Sequence, residues 1–206
     1  FNKLGFRTDY FSSVGANASV PDQNLPNANS TIRCIITDGS SGYYVAGDFT
    51  QIGGVSRSYI AHILSNKSVD AAFNVTSNSI ITTVVKDGSK LYLGGYFTSI
   101  NGTTRNYLAA VNSSTGALIS WNPGANNIVN SLVITDTVVL AGGNFTSVGG
   151  KSAHYFAALT KANGSVVNGF VGFDNVVYKL NLKGDKILAG GAYSHTGYYT
   201  SFAAKI

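Results

Sequence analysis

Short apolar runs separated by turn residues recur along the chain at a constant spacing. The segments YVAGDFTQIGG, YLGGYFTSING, LAGGNFTSVGG and LAGGAYSHTGY begin at Tyr44, Tyr92, Leu140 and Leu188, 48 residues apart each time. A fixed period of about 20 to 50 residues is typical of repeat proteins, in which each unit is one supersecondary structure. The chain is therefore predicted to consist of units of about 48 residues.

Each unit is predicted to contain four short strands. The first strand is an apolar run such as 80–86, and a tight turn such as Asp87-Gly88 leads to the second. The second strand ends in a repeated glycine, which suggests close backbone packing. A third strand such as 107–111 and a fourth, ending at a position such as Trp121, complete the unit. This pattern predicts an all-β fold, a β-propeller in which each blade buries its faces against its neighbours.

The whole chain, residues 1–206, is predicted to form one propeller domain of four 48-residue, four-stranded repeats. The units are expected at about 25–72, 73–120, 121–168 and 169–206, after a partial N-terminal unit at 1–24. The sequence of that partial unit is similar to the third and fourth strands of a full unit, and the segment SFAAKI is similar to a third strand. We therefore expect the segment near Val20 to close the ring by pairing with the last blade.

Composition supports a folded, β-rich chain. Hydrophobic residues make up 44% and charged residues 11%, which excludes an intrinsically disordered chain. Twenty-four glycines and the absence of Glu and Met favour turns and strands over helices. The net charge of +5 is spread thinly, apart from Lys179, Lys183 and Lys186, and no run of 18 apolar residues occurs. These features argue against nucleic-acid binding and membrane insertion.

Signals for catalysis, metals and cofactors are weak, and we predict no catalytic residue, metal site or cofactor. The three histidines occupy different positions of the repeat, and no G-x-S-x-G motif is present. The turn at Asp38-Gly39 lacks the alternating acidic ligands of a calcium loop. A single cysteine, Cys34, excludes an internal disulfide and is predicted to lie in a buried strand.

Ligand binding is the remaining hypothesis. Residues that vary at one repeat position form a ring in a propeller, and the position after the repeated glycine holds Asp48, Tyr96 and Asn144. Period-2 alternation places them opposite buried aromatic residues. Such groups can hydrogen-bond sugar hydroxyls and stack on a sugar face, although ordinary loop residues would show the same pattern. Five further candidate residues lie in the adjoining loops: His195, Arg57, Arg105, Tyr198 and Tyr199.

The recurring G-G-x-F-T-x-[IV]-G-G loop, followed by Ser58–Leu64 and then Ser68–Asn74, resembles the bacterial delta-sixty repeat. The resemblance extends over four copies and implies a β-propeller from exported or surface proteins, with no common catalytic residues. It implies a binding or adhesive role, and so an extracellular, non-enzymatic module that is secreted or held at the cell surface, with a glycan or a cell-surface protein as partner. The alternative is a structural or fibre-tip domain that assembles as a homo-oligomer. Eight Asn-x-Ser/Thr sequons are present, some of which a glycosylating host would modify.

Overall fold

The computed structural model describes residues 10–14, 21–22 and 24–197, and in these ranges the regular secondary structure is entirely β. They contain no helix that is long and apolar enough to cross a lipid bilayer. The strands are β1 (Ser13–Val14), β2 (Pro21–Asp22), β3 (Ile32–Thr37), β4 (Tyr43–Gly47), β5 (Gln51–Ile52), β6 (Val55–Ser56), β7 (Ile60–Ile63), β8 (Ile81–Asp87), β9 (Lys90–Gly95), β10 (Ser99–Ile100), β11 (Thr103–Thr104), β12 (Leu108–Asn112), β13 (Val129–Ile134), β14 (Val138–Gly143), β15 (Ser147–Val148), β16 (Lys151–Ser152), β17 (Phe156–Thr160), β18 (Val177–Lys183) and β19 (Lys186–Gly191).

The strands form antiparallel sheets that follow the predicted repeat. Blade 1 is β3-β4-β7, blade 2 is β8-β9-β12, blade 3 is β13-β14-β17, and blade 4 contains β18-β19 in the described residues. The fourth strand predicted for each unit is reduced to a single bridge, for example Val111 with Leu118. The sheets of blades 1 to 3 therefore have three strands instead of four. A small hairpin, β5-β6, β10-β11 or β15-β16, occupies the segment predicted as a loop.

The first strand of each blade lies nearest a common axis. Strands β3, β8, β13 and β18 contact one another in succession, and near their C-terminal ends they line one cavity of about 370 Å³. The cores lie between successive blades. Phe73 and Leu93 belong to the core between blades 1 and 2, Trp121 and Val139 to the next, and Phe156 to the third. This burial of blade faces against neighbours is the packing that the repeat predicts.

The repeated glycine at the end of the second strand is required by close packing, as predicted. A Cβ atom at this position would collide with the carbonyl oxygen that precedes the first strand of the same blade. The backbone of the inner two strands therefore comes too close for any other residue. The four positions are Gly47, Gly95, Gly143 and Gly191.

A side-chain bridge explains the Phe-Thr motif of the repeat. Asn29 Oδ1 accepts hydrogen bonds from the backbone N–H groups of Thr50 (2.9 Å) and Gln51 (3.1 Å), and its Nδ2 donates to Thr50 Oγ1 (3.0 Å). Asn78 and Asn126 make the same contacts in the next two units. Hydrogen bonds between this asparagine and the threonine of the motif thus join the start of each unit to the loop after its second strand.

Tyrosines with positive φ mark the start of the third strand. Tyr59, Tyr107 and Tyr155 have φ values of 70°, 63° and 60°, a conformation that is uncommon outside glycine. Tyr10 shares it, with φ 61°, and the nearby β1 pairs with β2. Residues 10–14 and 21–22 therefore show the features of a third and a fourth strand. The predicted pairing at Val20 lies outside the described residues.

Hydrogen bonds join the inner strands of neighbouring blades. The N–H of Val84 donates to Cys34 Sγ (3.4 Å), that of Leu132 to Thr83 Oγ1 (3.1 Å), and that of Leu180 to Ser131 Oγ (3.0 Å). In each case the acceptor belongs to the earlier blade, at the position after the bulge in its inner strand. Cys34 is partly buried in β3, and this burial raises the pKa of its thiol. The corresponding residue of blade 4 is Lys179, which has no acceptor atom.

Candidate functional site

Two repeat positions meet at the N-terminal ends of the inner strands. One is the residue at the register shift of the inner strand, and the other follows the repeated glycine. The backbone N–H at the second position donates to the residue before the inner strand, as from Asp48 to Thr31 O (2.8 Å) and from Tyr96 to Ile80 O (2.9 Å). We call these eight residues the axial ring: Arg33, Thr82, Asn130, Tyr178, Asp48, Tyr96, Asn144 and Ala192.

An ion pair and a tyrosine form one side of the axial ring. The guanidinium of Arg33 donates to both carboxylate oxygens of Asp48, with Nη2 at 2.7 Å from Oδ2. The Arg33 side chain is 43% exposed. Its hydrogen bond to Asp48 raises the pKa of Arg33, and Tyr96 is close enough to interact electrostatically with it. Tyr96 is 42% exposed, so its ring is available to a ligand beside a fixed Arg–Asp pair.

Amides and a hydroxyl continue the axial ring. Asn130 Nδ2 donates to Asn144 Oδ1 (2.9 Å) and to the carbonyl of Val177 in the next blade (3.0 Å). Thr82 Oγ1 makes the corresponding contact with Val129 O (2.7 Å). These bonds hold the side chains in place while the surface remains open to solvent. The arrangement offers hydrogen-bond donors and acceptors and an aromatic face, which suits recognition of a polar ligand.

The structure brings together three of the residues predicted from sequence, Asp48, Tyr96 and Asn144. Sequence reasoning missed Arg33, Asn130 and Tyr178, the last of which is 59% exposed. These residues share one repeat position. The β3-β4 hairpin of blade 1 is one residue longer than the others, so Arg33 lies 49 residues before its equivalent, Thr82, instead of 48. Alignment on the register shift, instead of on a strict period of 48, would have found this column.

The other predicted residues have different surroundings. The side chain of His195 is 73% exposed and lies in an outer loop, where its Nδ1 is 3.0 Å from Asp174 Oδ2. Arg57 Nη2 donates to the carbonyl of Asp70 (2.9 Å), and Arg105 Nη2 to that of Ile119 (3.3 Å). Both arginines hold a loop of their own blade. The predicted binding residues Tyr198 and Tyr199 lie outside the described residues.

A buried histidine with two aspartates is one of two clusters in the described residues that resemble catalytic machinery, the other being the exposed group of Asp174, Ser194 and His195. His62 Nδ1 is 2.7 Å from Asp70 Oδ2, and Nε2 is 3.3 Å from Asp38 Oδ2. The imidazole stacks on Tyr44, with 4.3 Å between ring centroids, and His62 is 8% exposed. Both ring nitrogens face carboxylates, which leaves neither available as a general base. The cluster instead ties the β3-β4 hairpin to the end of β7. In the described residues, no group of three or more His, Cys, Asp or Glu side chains is placed to hold a metal ion.

This cluster predicts acid sensitivity. Burial by itself raises the pKa of Asp38 and of Asp70, but hydrogen bonds from backbone N–H groups and from His62 outweigh it, so both pKa values lie below the ordinary 3.8. Carboxylates with a lowered folded-state pKa stabilise the fold above their ordinary pKa, and this stability is lost as the pH falls through the folded-state value. The free energy of unfolding is therefore expected to decrease as the pH falls below about 4.

Urea unfolding between pH 7 and pH 3 measures this effect. The double variant Asp38→Asn/Asp70→Asn is expected to show a weaker pH dependence than the wild type. The exposed residue Asp136 supplies the control, since Asp136→Asn should leave the slope unchanged. Equal slopes for the wild type and the double variant would contradict the assignment.

Comparisons with known proteins agree on the fold. Residues 42–73 and 89–116 match the family described as a beta-propeller domain of unknown function (DUF5122). No curated protein matches the chain. The structure is similar to that of the computationally designed Ika4 protein, with 12% identity over 84% of this chain and 92% of that one and a TM-score of 0.59.

Two natural proteins also have similar structures. The WD40 beta propeller domain of Doa1 is 13% identical over 79% of this chain, with a TM-score of 0.55. The extracellular domain of BT4673 from B. thetaiotaomicron is 17% identical over 84% of this chain, with a TM-score of 0.54. The chain spans 48% and 21% of these two structures. At such identities the likeness concerns the fold alone, and the fold is all-β and propeller-like.

Proposed function

We propose that this chain is an extracellular, non-enzymatic recognition module that binds a glycan or a cell-surface protein through the axial ring. The observation that carries the proposal is the Arg33–Asp48 pair beside the exposed ring of Tyr96. Fixed charged groups next to an aromatic face provide both hydrogen bonds and stacking to a polar partner. Asn144, held by Asn130, adds an amide to the same rim.

We further propose that the repeats are of the delta-sixty type and that the four units close into one ring. The 48-residue period and the match of two segments to a propeller family support this proposal. A secreted or cell-surface location is supported by the low charge and high Asn, Ser and Thr content. Similarity to an extracellular domain is in line with it.

Binding to glycan and cell-surface-protein arrays tests the proposed function. For a partner found there, Tyr96→Ala is expected to weaken binding about tenfold or more, which corresponds to about 1.4 kcal/mol. Tyr10→Ala is the matched control, because it removes a tyrosine that is 59% exposed in the N-terminal segment. Binding that both variants retain in full would rule out the axial ring as the site.

The exposed apolar surface of blade 4 favours the alternative, a domain that assembles as a homo-oligomer. Leu188 is 48% exposed, whereas Leu140, at the same repeat position of blade 3, is fully buried. Val171 and Phe170 are also exposed, at 45% and 40%. Light scattering separates the two functions. An oligomer that Leu188→Lys converts to monomer would support assembly, and a monodisperse monomer would count against it.

A further inference from the structure

A polar cleft of about 470 Å³ lies between blades 2 and 3 and shares no residue with the axial ring. Its volume falls within the range of about 300–1,000 Å³ found for small-molecule sites. The side chains of Thr104, Asn106, Asn122 and Ser147 line it, together with the backbone at Gly124 and Gly149.

The cleft is open because two glycines face each other across it. The N–H of Gly149 donates to Gly124 O at 2.9 Å. Between blades 1 and 2 the same backbone bond joins Asn101 to Thr76 (2.7 Å), but there the side chains fill the space. Asn101 Oδ1 accepts from the N–H of Thr76 (2.8 Å), and its Nδ2 donates to Gly116 O (3.0 Å).

The next blade boundary repeats the open form. The N–H of Gly197 donates to Gly172 O (3.2 Å), so this backbone bond again joins two glycines. A cavity of about 370 Å³ lies there, lined in part by His154 and Phe170. The residues joined by this backbone bond are thus Thr76 and Asn101 at the filled boundary and two glycines at each open one. At the filled boundary the Asn101 side chain occupies the space beside the bond.

The lining of the cleft between blades 2 and 3 determines what it can bind. The side chains of Thr104, Asn106, Asn122 and Ser147 make no hydrogen bond within the described part of the chain. Amides and hydroxyls both donate and accept, and among the described residues no charged or aromatic side chain lines the cleft. The described lining residues therefore offer an anion no opposite charge and a planar ring no aromatic face. A neutral ligand with many hydroxyl groups finds several hydrogen-bond donors and acceptors.

We propose that the cleft between blades 2 and 3 binds a neutral, hydroxyl-rich ligand, namely one sugar residue. The site is separate from the axial ring and does not depend on it. Recognition is by the side chains of Thr104, Asn106, Asn122 and Ser147 and by backbone groups beside the two glycines. At the boundary between blades 1 and 2, the Asn101 side chain is hydrogen-bonded to Thr76 and Gly116 in the corresponding place.

Closing the cleft tests the proposal. Gly149→Asn copies the residue of the filled boundary, and the backbone tolerates it because φ is 58° at Gly149 and 49° at Asn101. The nearest atom to a Cβ at this position is Pro123 O at 3.5 Å, an ordinary contact. Gly102→Asn is the matched control, since its φ is 72° and nothing lies within 4 Å of its Cβ.

The measurement is saturation-transfer NMR with free glucose, galactose, mannose, fucose and N-acetylglucosamine, followed by calorimetric titration of any sugar that binds. The wild type and Gly102→Asn are expected to bind one of these sugars, and Gly149→Asn to bind it at least tenfold more weakly. Asn122→Ala, at an exposed position, should also weaken binding, whereas Asn74→Ala at the filled boundary should not.

The outcomes distinguish this cleft from the axial ring. Absence of sugar binding by the wild type would overturn the proposal, as would equal binding by Gly149→Asn. Binding lost in Tyr96→Ala and retained in Gly149→Asn would assign the sugar to the axial ring and also overturn it. Binding lost in Gly149→Asn and retained in Tyr96→Ala would support the cleft, whatever the axial ring binds.

Discussion

Replacing Trp121 with alanine is expected to lower the free energy of unfolding by about 3–5 kcal/mol. Trp121 is fully buried in the core between blades 2 and 3. Its indole lies edge-on to Tyr92 with 4.9 Å between ring centroids, and Nε1–H donates to Thr160 O at 2.9 Å. The substitution leaves a cavity between two blades and removes one of the two donors to Thr160 O, which keeps only the N–H of Gly164 at 3.0 Å.

The repeat itself supplies the control for this variant. Phe170 ends the following unit at nearly the same position but is 40% exposed. Phe170→Ala is therefore expected to cost about 1 kcal/mol or less. Urea unfolding of both variants gives the comparison, and similar losses would show that the faces between blades 2 and 3 do not form the main core.

Gly142→Ala is expected to destabilise the protein by about 1–3 kcal/mol, because it overfills the packing between blades 3 and 4. An added Cβ would lie 2.6 Å from Val177 Cγ1, 3.1 Å from Val177 Cβ and 3.2 Å from Leu180 Cδ1. Valine is branched at Cβ, so a change of rotamer cannot remove all of these contacts. The two blades would have to move apart.

Gly190 occupies the same repeat position in blade 4 and gives the opposite expectation. Nothing lies within 4 Å of a Cβ built there. Gly190→Ala is expected to be neutral or to stabilise by about 0.5 kcal/mol, since alanine restricts the unfolded chain. Thermal unfolding monitored by circular dichroism measures both variants. A loss at Gly190 equal to that at Gly142 would mean that the face of blade 4 is covered in solution.

Much of the fold can be predicted from the sequence because the repeat is nearly exact. The constant spacing of Tyr44, Tyr92 and Leu140 places equivalent strands in successive blades, and the glycine after each is required by backbone contact. Burial of Phe49, Phe97 and Phe145 is predicted from alternation and is confirmed, although each lies two residues beyond the end of its strand. The reduction of the fourth strand to single bridges cannot be predicted from the sequence. It depends on how many ladder hydrogen bonds the outermost segment makes with the third strand.

The candidate sites were harder to predict because they depend on pairs of residues that are far apart in the chain. The register shift in the inner strand brings Arg33 to Asp48, and the longer hairpin of blade 1 moves Arg33 one residue away from the fixed period. Arginine is a residue type common in ligand-binding sites, yet the side chains of Arg57 and Arg105 both donate to backbone carbonyls. Gly124 and Gly149 resemble ordinary turn glycines until the backbone bond between them is known.

The hydrogen bonds between inner strands give the array of blades a polarity. The side chains of Cys34, Thr83 and Ser131 each accept a hydrogen bond from the blade that follows. Lys179, at the same position of blade 4, carries an ammonium group and has no acceptor atom. Suppose that blade 2 or blade 3 were duplicated and the copy inserted beside the original. The inner strand of the copy would donate a hydrogen bond to the preceding blade and accept one from the following blade. A copy joined after blade 4 would find no such acceptor until Lys179 was exchanged for a short hydroxyl residue. Lengthening of this molecule by duplication is thus physically easier in its interior than beyond blade 4.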